Sequence, residues 1–106
     1  MATGRLGVSA IPATTNTTVY TVPVGYYTVC NVSITNRNAT AIKIRVAMAT
    51  TASPNAQDWL EYDTVIIPNG VFERTGLVMQ AGLNIVVYSD TANVGCSVYG
   101  IETSTT

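Results

Sequence analysis

Apolar and polar residues alternate with a period of two along most of this chain. Within residues 42–48, isoleucine, valine and methionine occupy the even-numbered positions, whereas Lys43 and Arg45 occupy odd-numbered positions. Residues 30–35 and 94–99 show the same alternation. This period predicts β-strands with one buried face and one outward face. Strands of that kind build antiparallel sheets that pack face to face.

Proline, glycine and asparagine mark the turns between these segments. The strongest turn signal is Pro68-Asn69-Gly70, because proline presets one φ angle and Asn-Gly tolerates positive φ. No window of helical length carries an apolar stripe, although residues 54–59 could form one short helical turn. The sequence therefore predicts an all-β fold, an antiparallel β-sandwich or jelly roll of about eight strands. The predicted strands span residues 5–10, 18–22, 26–36, 41–50, 60–67, 71–77, 82–88 and 93–102.

The length of 106 residues predicts a single sandwich domain, which we place at residues 18–102. Residues 11–17 are polar and contain a proline, so we predict that residues 1–17 form a short N-terminal strand followed by an extended arm. The polar residues 103–106 predict a flexible tail.

Charge is sparse, and its scarcity excludes several classes of protein. Charged residues make up 10% of the chain, hydrophobic residues 47%, and the net charge is −1. High hydrophobicity with low charge argues against intrinsic disorder, and a single lysine argues against a nucleic-acid partner. No apolar run reaches membrane-spanning length and no signal peptide is evident, so we expect no membrane partner and synthesis in a cytosol.

Candidate catalytic chemistry is weak, and we predict that the protein is not an enzyme and binds no cofactor or metal. Histidine is absent, which removes the commonest general base and metal ligand. Asp58, Glu61 and Asp63 surround two aromatic residues, as in some glycosidases. We interpret them instead as a solvated loop and strand edge. Because Glu61 and Asp63 share a parity, we expect them on one outward face, paired with nearby arginines.

The two cysteines, Cys30 and Cys96, lack the spacing of a zinc site and a neighbouring base. Two buried free thiols are the expected state. A disulfide between the two sheets is the alternative.

Several arginines and aromatic residues are candidates for contacts with a partner. Tyrosine and tryptophan are enriched at protein interfaces, and a chain with little charge lacks the repulsion that keeps monomers apart. Association with other proteins, including copies of this chain, is therefore the predicted mode of action. The candidate interface residues are Arg5, Arg37, Arg45, Arg74, Tyr20, Trp59 and Tyr62.

Two runs of sequence resemble small virion proteins of tailed phages, particularly cyanophages. They are NTTVYTVPVG at residues 16–25 and TNRNATAIKIR at residues 35–45, and the resemblance extends over most of residues 5–102. It implies a virion structural protein. The first expectation is a capsid decoration (cement) protein that binds the major capsid protein on the capsid surface as a homo-oligomer. The alternative is a small tail, fibre or baseplate component that binds the host surface or other tail proteins, with Trp59 and exposed tyrosines stacking on sugars.

Overall fold

The computed structural model describes residues 3–105, which form eight β-strands and one short 3₁₀ turn. The predicted all-β sandwich is confirmed, and the 3₁₀ turn lies where the sequence allowed one helical turn. The strands are β1 (Thr3–Ile11), β2 (Thr17–Thr21), β3 (Tyr26–Asn36), β4 (Ile42–Ala49), β5 (Trp59–Ile66), β6 (Val71–Met79), β7 (Asn84–Ser89) and β8 (Val94–Ser104), and the 3₁₀ turn (Ala56–Asp58) precedes β5.

The strands form two four-stranded sheets with a nested pairing. The first sheet has the order β1-β8-β3-β6 and the second has the order β2-β7-β4-β5. The first strand thus pairs with the eighth, the second with the seventh, the third with the sixth and the fourth with the fifth, all antiparallel. This pattern arises when a long double ribbon is rolled up, and it is the jelly-roll form of the β-sandwich.

The core lies between the two sheets and follows the predicted alternation. Val32 and Ile34 of the first sheet, and Ile44, Val46 and Ile85 of the second, have no exposed surface. Burying a side chain of this size stabilises the folded state by roughly 1.5–3 kcal/mol. Residues of the opposite parity face outward, so the outer faces are the surfaces available to a partner.

The two long sides of the sandwich are closed in different ways. On one side β1 lies so close to β2 that a Cβ atom added at Gly7 would sit 2.3 Å from the carbonyl oxygen of Val19. On the other side an ion pair joins Arg74 of β6 to Glu61 of β5, with 2.5 Å between Nη1 and Oε2. Side chains, rather than backbones, therefore connect the sheets there.

The predicted N-terminal arm is not confirmed. Strand β1 is paired with β8 along its length and ends at Ile11, which is only 2% exposed. The following segment crosses to the second sheet, where the amide of Thr14 donates to the carbonyl oxygen of Ser89 at 2.8 Å. Residues 3–17 thus lie on the body of the domain, and the first two residues of the predicted arm are outside the described range.

The C-terminal end also differs from the predicted flexible tail. Strand β8 continues to Ser104, and the amide of Thr105 donates to the carbonyl oxygen of Gly25 at 2.9 Å. Residue 106, the last of the predicted tail, lies outside the described residues.

Candidate functional site

A β-bulge in β5 creates the most distinctive surface of the second sheet. Ile44 pairs with Thr64 and Val46 pairs with Glu61, so two residues of β5 lie opposite the single residue Arg45. The two residues opposite Arg45 are Tyr62 and Asp63, and Asp63 has a φ of 55°. Aspartate tolerates this left-handed conformation better than most residues. The bulge brings both side chains to Arg45, on the outer face of the sheet.

Arg45 is the centre of this surface. Its Nε donates to Asp63 Oδ1 at 2.7 Å. Its guanidinium carbon lies 4.1 Å from the ring centroid of Tyr62 and 4.6 Å from that of Tyr88, its partner on β7. The hydrogen bond between the two charged groups raises the pKa of Arg45 and lowers the pKa of Asp63. Both side chains are therefore charged and held in place at neutral pH.

Trp59 extends this surface along β5. Its ring centroid is 5.7 Å from that of Tyr62, at an interplanar angle of 74°, an edge-to-face contact. Together with Ala56 of the 3₁₀ turn, these rings line an open hollow of about 420 Å³. We call the set of Arg45, Trp59, Tyr62, Asp63 and Tyr88 the aromatic–arginine cluster.

The cluster corrects one prediction about the acidic residues. Glu61 and Asp63 were expected on one outward face, but they meet arginines of different sheets. Asp63 pairs with Arg45 on the outer face, whereas Glu61 accepts hydrogen bonds from Arg74 and Thr64 on the side of the sandwich where β5 lies next to β6. The bulge interrupts the alternation of inward and outward side chains along β5, because one inserted residue reverses the direction of every later side chain.

Of the seven candidate interface residues, the structure brings three into the aromatic–arginine cluster, namely Arg45, Trp59 and Tyr62. Arg74 lies at the edge of the first sheet. Arg5 is exposed on β1, and Arg37 is exposed in the turn after β3. These three arginines are separate from the cluster and do not form one charged surface.

Tyr20 does not lie on the surface, so its prediction as an interface residue was wrong. It is 7% exposed, and its hydroxyl donates to Glu102 Oε2 at 2.5 Å and lies 2.8 Å from Thr28 Oγ1. Burial and the hydrogen bond to Glu102 raise the pKa of Tyr20 to about 12. Tyr20 lies two residues before the buried Val22. Residues two apart in a strand face the same side of a sheet, so the sequence could have predicted that Tyr20 faces the core.

The cysteines are free and buried. Both belong to the first sheet and face the core, and Cys96 pairs with Ile34, four residues from Cys30 along β3. That offset is about 13 Å, far beyond disulfide reach. Burial raises the pKa of Cys30 to about 11 and that of Cys96 to about 12. The alternative of a disulfide between the sheets is therefore excluded.

The outer face of the first sheet carries a row of exposed apolar residues. Val29 of β3 pairs with Val78 of β6 on one side and with Ile101 of β8 on the other. These side chains are 45%, 66% and 51% exposed, and we call them the apolar row. Nearby, the Tyr99 hydroxyl donates to Glu73 Oε2 at 2.6 Å. This hydrogen bond raises the pKa of Tyr99.

Residues 3–105 contain no group of three or more acidic, cysteine or histidine side chains that could hold a metal ion. Among the same residues, no helix combines the length and the hydrophobicity that a membrane-spanning helix requires. Comparisons with protein-family models, with curated proteins and with solved structures found no match to this chain.

Proposed function

We propose that this protein is a virion structural protein of a tailed phage, and specifically a capsid decoration protein. In this function it binds the shell of the major capsid protein, as a homo-oligomer, through the outer face of its first sheet. The observation that carries the proposal is the apolar row of Val29, Val78 and Ile101, which lies exposed across three adjacent strands.

An exposed row of this kind favours docking because each side chain still has apolar surface in contact with water. Covering that surface gains about 25 cal/mol for each Å², and a contiguous apolar patch on a soluble domain typically marks an interaction site. The surrounding face adds little electrostatic repulsion, since the chain has a net charge of only −1. A sheet face with these properties suits contact with a broad protein surface such as a shell.

The resemblance of residues 16–25 and 35–45 to phage virion proteins supports the same proposal. The jelly-roll fold occurs in viral capsid proteins and in lectins, so it is compatible with a virion function but does not by itself determine one. Clamping neighbouring shell subunits would stabilise the shell by mass action, because the decoration protein binds the assembled state.

Co-sedimentation with shells assembled from the major capsid protein of the same phage tests the proposal. We expect the wild-type chain to bind in hundreds of copies per particle. Val29→Lys places a charge at the centre of the apolar row and should weaken binding at least tenfold. Val24→Lys is the matched control: Val24 lies in the β2–β3 turn and is 92% exposed, so this variant should bind like wild type. Circular dichroism and the Tm of each variant establish that it is folded.

Equal binding of a folded Val29→Lys variant and the wild-type chain would overturn the docking face. Failure of the wild-type chain to bind shells, together with a few to tens of copies per purified virion, would replace decoration by the tail, fibre or baseplate alternative. The aromatic–arginine cluster is the feature of the structure that favours this alternative, because stacked aromatic rings suit contacts with host surface polymers.

A further inference from the structure

We propose that the aromatic–arginine cluster is a binding site for a neutral sugar, one or two pyranose rings in size. This inference concerns the outer face of the second sheet, opposite the apolar row, and it does not depend on where the protein sits in a virion. It rests on an exposed aromatic wall, a polar pair beside that wall, and a hollow of suitable size.

The aromatic wall comes from Tyr62 and Trp59. Tyr62 is 58% exposed and Trp59 is partly exposed, and their rings line the hollow with Ala56. A pyranose ring has an apolar face of C–H groups that packs on an aromatic ring, and the hydroxyl groups at its rim remain free for hydrogen bonds. Tyrosine and tryptophan are suited to this mixed contact because each joins a large apolar surface to a polar group.

The polar pair is Arg45 with Asp63, next to the Tyr62 ring. Within residues 3–105, the acceptor bonded to Arg45 is Asp63 Oδ1, which engages Nε and leaves both Nη groups without a protein acceptor. The Asp63 side chain is 42% exposed. Two adjacent hydroxyl groups of a sugar can donate to the carboxylate and accept from the guanidinium. Because the two charges cancel, the site favours a neutral sugar over an anionic one.

The size and rigidity of the site agree with this ligand. The hollow of about 420 Å³ falls within the range of about 300–1,000 Å³ typical of small-molecule sites. Arg45 is held by Asp63 and contacts the rings of Tyr62 and Tyr88, so little side-chain freedom remains to be lost on binding.

Trp59 is the only tryptophan of the chain, so its fluorescence reports directly on the hollow. The purified full chain is titrated with maltose, cellobiose and N,N′-diacetylchitobiose as neutral probes, and with a glucuronate-containing disaccharide as the anionic probe. We expect a saturable change in emission with at least one neutral probe, with a Kd between about 0.1 and 10 mM. The anionic probe should bind more weakly than that neutral probe.

Variants locate the bound sugar, and saturation-transfer NMR provides a readout that does not depend on tryptophan emission. Tyr62→Ala should weaken binding at least tenfold. Tyr27→Ala is the matched control, because Tyr27 is 41% exposed on the first sheet, and it should bind like wild type. Asp63→Asn keeps a residue that tolerates positive φ and should weaken binding at least threefold, with an unchanged Tm.

The absence of a saturable response to every neutral probe up to about 50 mM, far above that Kd range, would overturn the inference. So would binding that is unaffected by both Tyr62→Ala and Asp63→Asn, since the sugar would then lie elsewhere. The Val29→Lys variant should bind the sugar normally, so failure at one face is distinguishable from failure at the other.

Discussion

Three buried groups make the folded domain sensitive to alkaline pH. Cys30 and Cys96 have pKa values of about 11 and about 12 in the fold, against an ordinary value of 9.0. Tyr20 has a pKa of about 12, against 10.0. In each case the fold stabilises the protonated form, because burial disfavours the charge. The stability that depends on these protons is fully present below pH 9 and is lost as the pH rises through the folded values.

The size of the loss follows from proton linkage. Above pH 9 the unfolded chain releases thiol protons that the folded chain keeps, so the free energy of unfolding falls by about 1.4 kcal/mol per pH unit for each group. Between pH 9 and pH 11 the two thiols together account for about 5 kcal/mol, and Tyr20 adds to the loss above pH 10. A domain of this size has a total stability of about 5–15 kcal/mol. We therefore expect a large part of the stability to be lost by pH 11.

Urea unfolding followed by circular dichroism, in a reducing buffer from pH 7 to pH 11, measures this dependence. Cys96→Ala removes one of the three protons and should make the alkaline slope shallower by about 1.4 kcal/mol per pH unit. Val98→Ala is the matched control. It shortens a buried side chain of the same strand, so it should lower stability at pH 7 and keep the wild-type slope.

Two results would refute this reasoning. One is a wild-type stability that changes by less than about 1 kcal/mol between pH 8.5 and pH 10.5, where linkage demands several times that amount. The other is an equal alkaline slope in the wild-type chain and in Cys96→Ala, which would assign the lost protons to other groups.

Two further substitutions test the packing of the strands. A Cβ atom at Gly100 would lie 2.2 Å from the carbonyl oxygen of Val29, so Gly100→Ala should force β8 away from β3 and lower the free energy of unfolding by about 3 kcal/mol. Gly95→Ala is the control, because a Cβ atom at that position of the same strand meets open space. An equal drop in Tm for both variants would contradict the explanation. The buried side-chain amide of Asn36 donates to the carbonyl oxygens of Thr40 and Ile67 at 2.9 and 3.0 Å. Asn36→Ala leaves these acceptors unpaired, so it should lower the free energy of unfolding, measured in urea, by about 2–3 kcal/mol. A decrease below about 0.5 kcal/mol would contradict this prediction.

The positions of the strands could be predicted from the sequence because alternation and turn residues act locally. Each strand sits within a few residues of its predicted span, and the helical turn predicted within residues 54–59 is present as Ala56–Asp58. The order of strands in each sheet could not be predicted, since alternation shows which residues face the core but not which strand lies beside which. The polar segment after Ile11 suggested a free arm. It is polar because a connection between two sheets runs over the surface.

The candidate site shows a similar division. Arg45, Trp59 and Tyr62 could be selected from residue type alone, because exposed aromatic residues and arginine are typical of binding surfaces. Tyr88 was missed because its proximity to Arg45 depends on the pairing of β7 with β4. Glu61 and Asp63 lie on different faces because of a bulge, and the alternation of apolar and polar residues in the sequence does not show where a bulge inserts a residue.

The nested pairing of the strands has a consequence for how this chain reaches its native state. Among the strands that pair within a sheet, β4 and β5 enclose the shortest stretch of chain, whereas the pairing of β1 with β8 encloses nearly the whole chain. Entropy of loop closure rises with the length of chain enclosed, and proteins dominated by distant pairings fold in milliseconds to seconds. Folding should therefore begin with the pairing of β4 and β5. The pairs β3–β6, β2–β7 and β1–β8 should then form in that order, so that both chain ends become ordered last.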